Sequence, residues 1–270
     1  MSNPRFLKTA KRWMNEKVPS EKTQPVTPIQ QNPPLMNNVN YSFLEGTEGQ
    51  SILEEYNQLV QSEYQNTSVL QKLSFEDNVV KGSNPFMFVL LNKVLQNHGK
   101  WIARPVDLER ALEKEAIDLS GTYGDSGLVL RSNGNPNEYL TKNLVSQVKE
   151  KGYKHFGGDA VMIPLLGLDL KYDSNSPHNL VFQLTDFSEI ISAPQLNKTN
   201  HSEKFNRADE QGLPIFEDGG SRSLYSNQEE GLCRLYRNGD HGLFARNSVF
   251  ADSGSDGRVM VCAGGTSPKN

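Results

Sequence analysis

Cysteine is scarce in this 270-residue chain: Cys233 and Cys262 are the only two. That excludes a disulfide framework and leaves two reduced core thiols as the reading, with one bridge between them as the alternative. Long apolar runs are missing, and nothing approaches the ~18 residues of a membrane-spanning helix. The opening MSNPRFLKTAKRWMNEK has neither an apolar core nor a small-residue cleavage site. No secretory signal is therefore expected, and the compartment defaults to the cytoplasm. Positive charge is not in excess either. The 28 Lys and Arg face 32 Asp and Glu, a net charge of −4, which argues against a general nucleic-acid binder. The five histidines (His98, His155, His178, His201, His241) contain no i, i+4 pair, so no zinc site is expected. No G-x-S-x-G elbow is present, and the glycine cluster GTYGDSG (121–127) has no Lys, so it reads as a turn and not as a phosphate cradle. Hydrophobic residues still make up 36% of the chain at a mean hydropathy of −0.60, enough for a core in part of it.

Composition divides the chain. Six prolines fall within residues 1–40 among Gln, Asn, Ser and Lys, with little apolar surface to offset the entropy of ordering. Residues 1–45 therefore read as a disordered, basic, proline-rich tail. Its Phe6, Leu7, Trp13 and Met14 offer a short amphipathic helix as the alternative to a solvated segment. Residues 46–99 form a helical segment. Ile52, Leu53, Tyr56, Leu59 and Val60 recur at helical spacing, and FMFVLLNKVLQN (86–97) starts after Asn84-Pro85 and stops at Gly99. That second helix is apolar almost all round and should be buried. Further on, Asp107–Glu115 and Glu138–Lys151 read as amphipathic helices, the latter with an αL cap at Gly152. Leu128–Leu130 reads as a short strand. Two alternating runs around Leu168 and Phe182 read as a hairpin. Residues 186–230 read as polar loop apart from Ile190-Ile191 and the Leu213-Pro214-Ile215-Phe216 run. Helices followed by short strands and long loops give an α+β fold.

The stretch GLCRLYRNGDHGLFARNSVFADSGSDGRVMVC (231–262) stands apart through a second absence. Lys, Glu, Gln, Met and Trp make up 58 of the 270 residues, yet none of them occurs among the 25 residues from Cys233 to Gly257. An Asn codon randomised only at its two adenines reaches Asn, Asp, His, Tyr, Ser, Gly, Arg, Cys, Phe, Leu and Val but none of those five. Tyr, Asn, Ser and Gly are also the residues that binding loops favour. A plain polar hairpin loop is the bland alternative.

The pattern RLYRNGDHGLFARNSVFADSGSDGRVMV (234–261) resembles the variable repeat of target proteins of diversity-generating retroelements. WIARPVDLERAL, DLSGTYGDSGLVLRS, NEYLTKNLVSQVKEKG and MIPLLGLDL, further upstream, also resemble cellular members of that family. The resemblance covers residues 100–262 and implies a C-type lectin-like ligand-binding domain there, with a variable region at 232–258; the helical segment stands before it and residues 263–270 read as a short tail after it. It implies diversified ligand-binding positions at Tyr236, Asn238, Asp240, His241, Phe244, Asn247, Ser248, Val249, Asp252, Gly254 and Ser255. Scaffold positions would be Arg234, Leu235, Leu243, Ala245, Arg246, Ala251, Asp256, Gly257, Arg258 and Val259. Tyr236, His241 and Phe244 are then expected to be exposed, and Arg246 and Arg258 to pair with carboxylates or carbonyls beneath the loop. The partner is an unidentified protein or surface ligand, with no catalytic residue, metal or cofactor. Asp252–Gly257 matches part of a calcium loop, but Gly254 stands at its third position and Ala263 where the bidentate Glu belongs. Two rival readings stay open: a lectin-like adhesin of fixed specificity, and a relative of formylglycine-generating enzymes. The latter need a reactive cysteine pair, whereas Cys233 and Cys262 fall in apolar, strand-like runs.

Overall fold

The computed structural model describes residues 39–65, 67–132, 134–153, 158–226, 229–239, 242–246 and 249–264. In chain order these form β1 (Val39–Phe43), α1 (Gly46–Glu63), β2 (Ser74–Glu76), β3 (Val79–Lys81), α2 (Pro85–Asn97), β4 (Lys100–Ile102), α3 (Pro105–Glu113) and β5 (Tyr123–Leu130). There follow α4 (Glu138–Glu150), β6 (Val161–Pro164), β7 (Leu168–Tyr172), β8 (Leu180–Leu184), β9 (Ile191–Ser192), β10 (Lys204–Ala208) and β11 (Pro214–Phe216). The chain closes with β12 (Arg222–Ser226), β13 (Leu232–Asn238), β14 (Leu243–Ala245) and β15 (Met260–Gly264). The fold is mixed α+β. A curled eight-stranded sheet runs β11-β10-β12-β14-β13-β5-β6-β9, a three-stranded sheet runs β1-β15-β4, and β2-β3 and β7-β8 are hairpins.

Helix α2 explains itself locally. The Asn84 side chain accepts a hydrogen bond from the Met87 N–H at 2.9 Å, and Pro85 occupies the first helical position, where its missing N–H costs nothing. Every residue from Pro85 to Asn92 is buried, so the helix forms the centre of the main core, packed with Phe182 and Phe250. Around it gather Ile52, Tyr56 and Val60 of α1 and Leu140, Leu144 and Val148 of α4. The N-terminal helices thus share one core with the strands that follow them. Gly152 caps the end of α4 with φ +82°, as its position predicts.

Three expectations change. Residues 1–38 of the expected tail lie outside the described residues, but 39–43 form β1, because Val39 to Phe43 pair in register with Gly264 to Met260. The same pairing takes Ala263 and Gly264 out of the expected C-terminal tail. GTYGDSG is a turn only at its start: Tyr123 to Gly127 are the first five residues of β5, an eight-residue interior strand of the large sheet. Its glycines serve close approach, since a Cβ at Gly127 would lie 3.2 Å from the Ile163 carbonyl oxygen and 3.2 Å from Leu235 Cδ2. Residues 186–230, read as loop apart from two apolar runs, supply β9 to β12, four of the eight strands of the large sheet.

Candidate ligand-binding surface

Strand β13 sorts its side chains by alternation. Cys233, Leu235 and Arg237 face a second core made with Leu224, Leu243 and Phe205, whereas Leu232, Arg234 and Tyr236 face the other way. Arg234 is 2% exposed, a burial that a guanidinium tolerates only with a full set of acceptors. It has them. Nε donates to Asp125 Oδ1 at 2.8 Å, and Nη2 donates to Asp125 Oδ2 at 2.5 Å and to the Ser83 carbonyl at 2.9 Å. Nη1 donates to the carbonyls of Val249 at 3.3 Å and Asp252 at 3.2 Å. Ser83 Oγ donates to Asp125 as well, at 2.6 Å. Burial alone would pull the Arg234 pKa down, but the Asp125 charge outweighs it and holds the guanidinium above its ordinary value.

The loop after β14 is thus gripped through its backbone, and Arg234 is not alone in holding it. Arg131, buried beneath β14, donates from Nη2 to the Ala245 carbonyl at 2.9 Å. The Gly254 N–H donates to Tyr123 Oη at 2.8 Å, and the Tyr123 N–H to the Asp256 carbonyl at 3.2 Å. Arg258 Nη1 donates to the carbonyls of Ser255 and Gly257, both at 2.8 Å, as expected of a residue beneath the loop. Gly257 has no alternative. A Cβ there would sit 2.6 Å from Ser83 N and 2.7 Å from Gly82 C. Phe250, buried among Phe86 and Phe182, is the loop's apolar plug.

On the Arg234 side of the sheet, aromatic rings from four strands and the segment before β10 form a row. Tyr225 stacks on Phe244 at 4.7 Å, Phe244 on Tyr236 at 5.0 Å, and Tyr236 meets Tyr123 edge-on at 5.9 Å. His201 meets Tyr225 edge-on at 6.2 Å. Strand register produces this, because Phe244 pairs with Tyr225 on one side and Tyr236 on the other. Arg246 lies over the rings of Phe244 and Tyr225, 4.9 and 5.5 Å from their centroids.

Of the positions expected to be displayed, Val249 (48% exposed), Asp252 and Ser255 are exposed, and Tyr236, Asn238 and Gly254 are half-buried. Asp240, His241, Asn247 and Ser248 lie outside the described residues. Phe244 contradicts its expected exposure: flanked by two tyrosines, it is 7% exposed and belongs to the frame. Arg246 also departs from expectation, being exposed and set against rings instead of pairing beneath the loop. That work falls to Arg234 and Arg131. Behind the sheet, Glu109 of α3 receives both guanidinium groups of Arg222 (2.8 Å) and Arg237, all buried or nearly so. Burial pulls these two arginines down to about 10 and about 9, which leaves both charged at neutral pH. This triad ties the helix to the two strands that flank β14.

Cys233 and Cys262 are both free and buried, the first in the large sheet and the second in the three-stranded one. Burial pushes the Cys262 thiol well above its usual range. Among the described residues no cluster of three or more His, Cys, Asp or Glu could hold a metal, and no helix is long and apolar enough to cross a membrane. A cleft of about 430 Å³ between Arg104, Glu189, Ile190 and Gln211 contains none of the display positions. No protein-family model, curated protein or solved structure matches this chain.

Proposed function

We propose that this chain is a non-enzymatic ligand-binding protein whose C-terminal segment is a diversified binding surface, of the kind made by diversity-generating retroelements on a C-type lectin-like domain. One observation carries the reading. The backbone at Ala245 and along residues 249–257 is held through its carbonyls and amides by Arg131, Arg234, Tyr123 and Arg258, none of them a display position. Bonds to backbone do not depend on which side chains the loop carries. Val249, Asp252 and Ser255 can therefore change without loss of the frame, which is what a diversified surface requires. Two buried thiols in separate sheets weigh against the cysteine-pair chemistry of formylglycine-generating enzymes. The test is the DNA downstream of the coding sequence. A near-copy of codons 230–262 with adenines at the display positions, next to a reverse transcriptase gene, is the expected result. Its absence leaves an adhesin of fixed specificity.

A further inference from the structure

The geometry points to a binding surface larger than the variable segment: Tyr225 and His201 extend it, Arg246 adds a fixed contact within it, and its occupant is a protein segment bearing a carboxylate for Arg246. This rests on the display reading above and adds to it. Tyr225 and His201 come from β12 and the segment before β10, outside 232–258, yet they continue the same row of rings through Phe244 to Tyr236. They supply affinity that need not be reinvented with each new loop.

The chemistry of the occupant follows from how the rings are used. Phe244 has Tyr225 against one face and Tyr236 against the other, with interplanar angles of 22° and 15°. The outer neighbours, His201 and Tyr123, meet the row edge-on, and Arg246 and Arg234 lie over its rings. Half-exposed Tyr225 and Tyr236 each have one face stacked on Phe244 and a guanidinium 5.5 or 5.6 Å from the ring centroid, which leaves little open ring face. Nucleic-acid bases stack on open faces, so this surface does not suit them. Tyrosines beside an arginine are instead the composition of protein interface anchors. Charge points the same way. Arg246 is exposed, and among the described residues no carboxylate lies within ion-pair distance of it. A guanidinium laid on rings keeps its N–H edge free for bidentate pairing with a carboxylate.

The test is selection of a phage-displayed random 12-residue peptide library on the full chain, with a glycan array and a single-stranded oligo-dT as the other probes. Peptides enriched in Asp or Glu are expected, and Arg246→Glu should shift the enrichment to Lys and Arg. Arg246→Glu and Tyr225→Ala should each weaken a selected peptide about tenfold or more, with Tyr225→Phe retaining most binding because the stack survives. Circular dichroism and melting verify that each variant is folded. If Asn238→Ala and Asp252→Ala abolish binding while Arg246→Glu and Tyr225→Ala do not, the display reading stands and the extension is refuted. Indifference to all four refutes both. Binding only to glycans or to oligo-dT overturns the protein occupant.

Discussion

Asp125 is the residue on which the frame beneath the loop turns, and Asp125→Asn isolates its charge. The substitution keeps the shape and one acceptor oxygen but leaves the Arg234 guanidinium, 2% exposed, without its counter-charge. Breaking a buried pair by removing one partner costs about 3–5 kcal/mol. The retained acceptor oxygen places Asp125→Asn at the lower end, about 3 kcal/mol, a large share of the ~5–15 kcal/mol available to a domain. At ~2–4 °C per kcal/mol for a chain of this size, the melting temperature should fall by about 6–12 °C. Urea denaturation should show a lower midpoint at unchanged slope. Arg234→Met strands the carboxylate in the same way and also removes the donor to the carbonyls of Val249 and Asp252. The double variant Asp125→Leu/Arg234→Met should be more stable than Arg234→Met alone, since no unpaired charge remains buried. Amides of residues 249–257 should nevertheless exchange faster in it than in the parent, because the carbonyl anchor is gone. An Asp125→Asn variant within about 0.5 kcal/mol of the parent, the range of ordinary surface changes, would refute this reasoning.

Other substitutions probe the same frame. Phe250→Ala should cost about 3–5 kcal/mol and Leu243→Ala about 2–5 kcal/mol in urea melts, both side chains being buried in well-packed clusters. Gly257→Ala should cost about 1–3 kcal/mol, since its Cβ meets backbone atoms of Gly82 and Ser83 that cannot rotate away. Ellman's reagent should find no reactive thiol in the native protein and two in denaturant, because Cys233 and Cys262 are both buried. EDTA should leave the melting temperature unchanged; a fall would reveal a metal site.

Much of this architecture could be read from residue order. Helices α2 and α4 were legible because Asn84-Pro85 and Gly152 mark their ends and their apolar periodicity is strong. The β7-β8 hairpin was legible through its period of two. Of β5 only Leu128–Leu130 was legible; Tyr123–Gly127 was not, since Gly and Asp are poor strand formers, and only the approach of Leu235 and Ile163 explains why Gly127 is required. Strands β9 and β11 are too short to carry a period, and the five residues of β10 (KFNRA) and β12 (RSLYS) hold too few apolar side chains to show one. The display segment was visible as a gap in composition, but its support was hidden. Asp125, Ser83 and Arg131 lie more than 100 residues away in sequence from the loop they help to hold, and a charged residue in an apolar run such as Leu232-Cys233-Arg234-Leu235 does not name its partner. Phe244 looked like a display aromatic because residue type is the same for an anchor and a core ring. Only the pairing of β14 between β12 and β13 distinguishes them.

If the fold of the loop is independent of its display side chains, two libraries on one display platform will separate the two groups of residues. One randomises Asn238, Val249, Asp252 and Ser255; the other randomises Asp125, Arg131, Arg234 and Gly257. The readout is the fraction of members resisting protease. Most members of the first library should remain resistant, and few of the second. Equal loss in both libraries would contradict that independence.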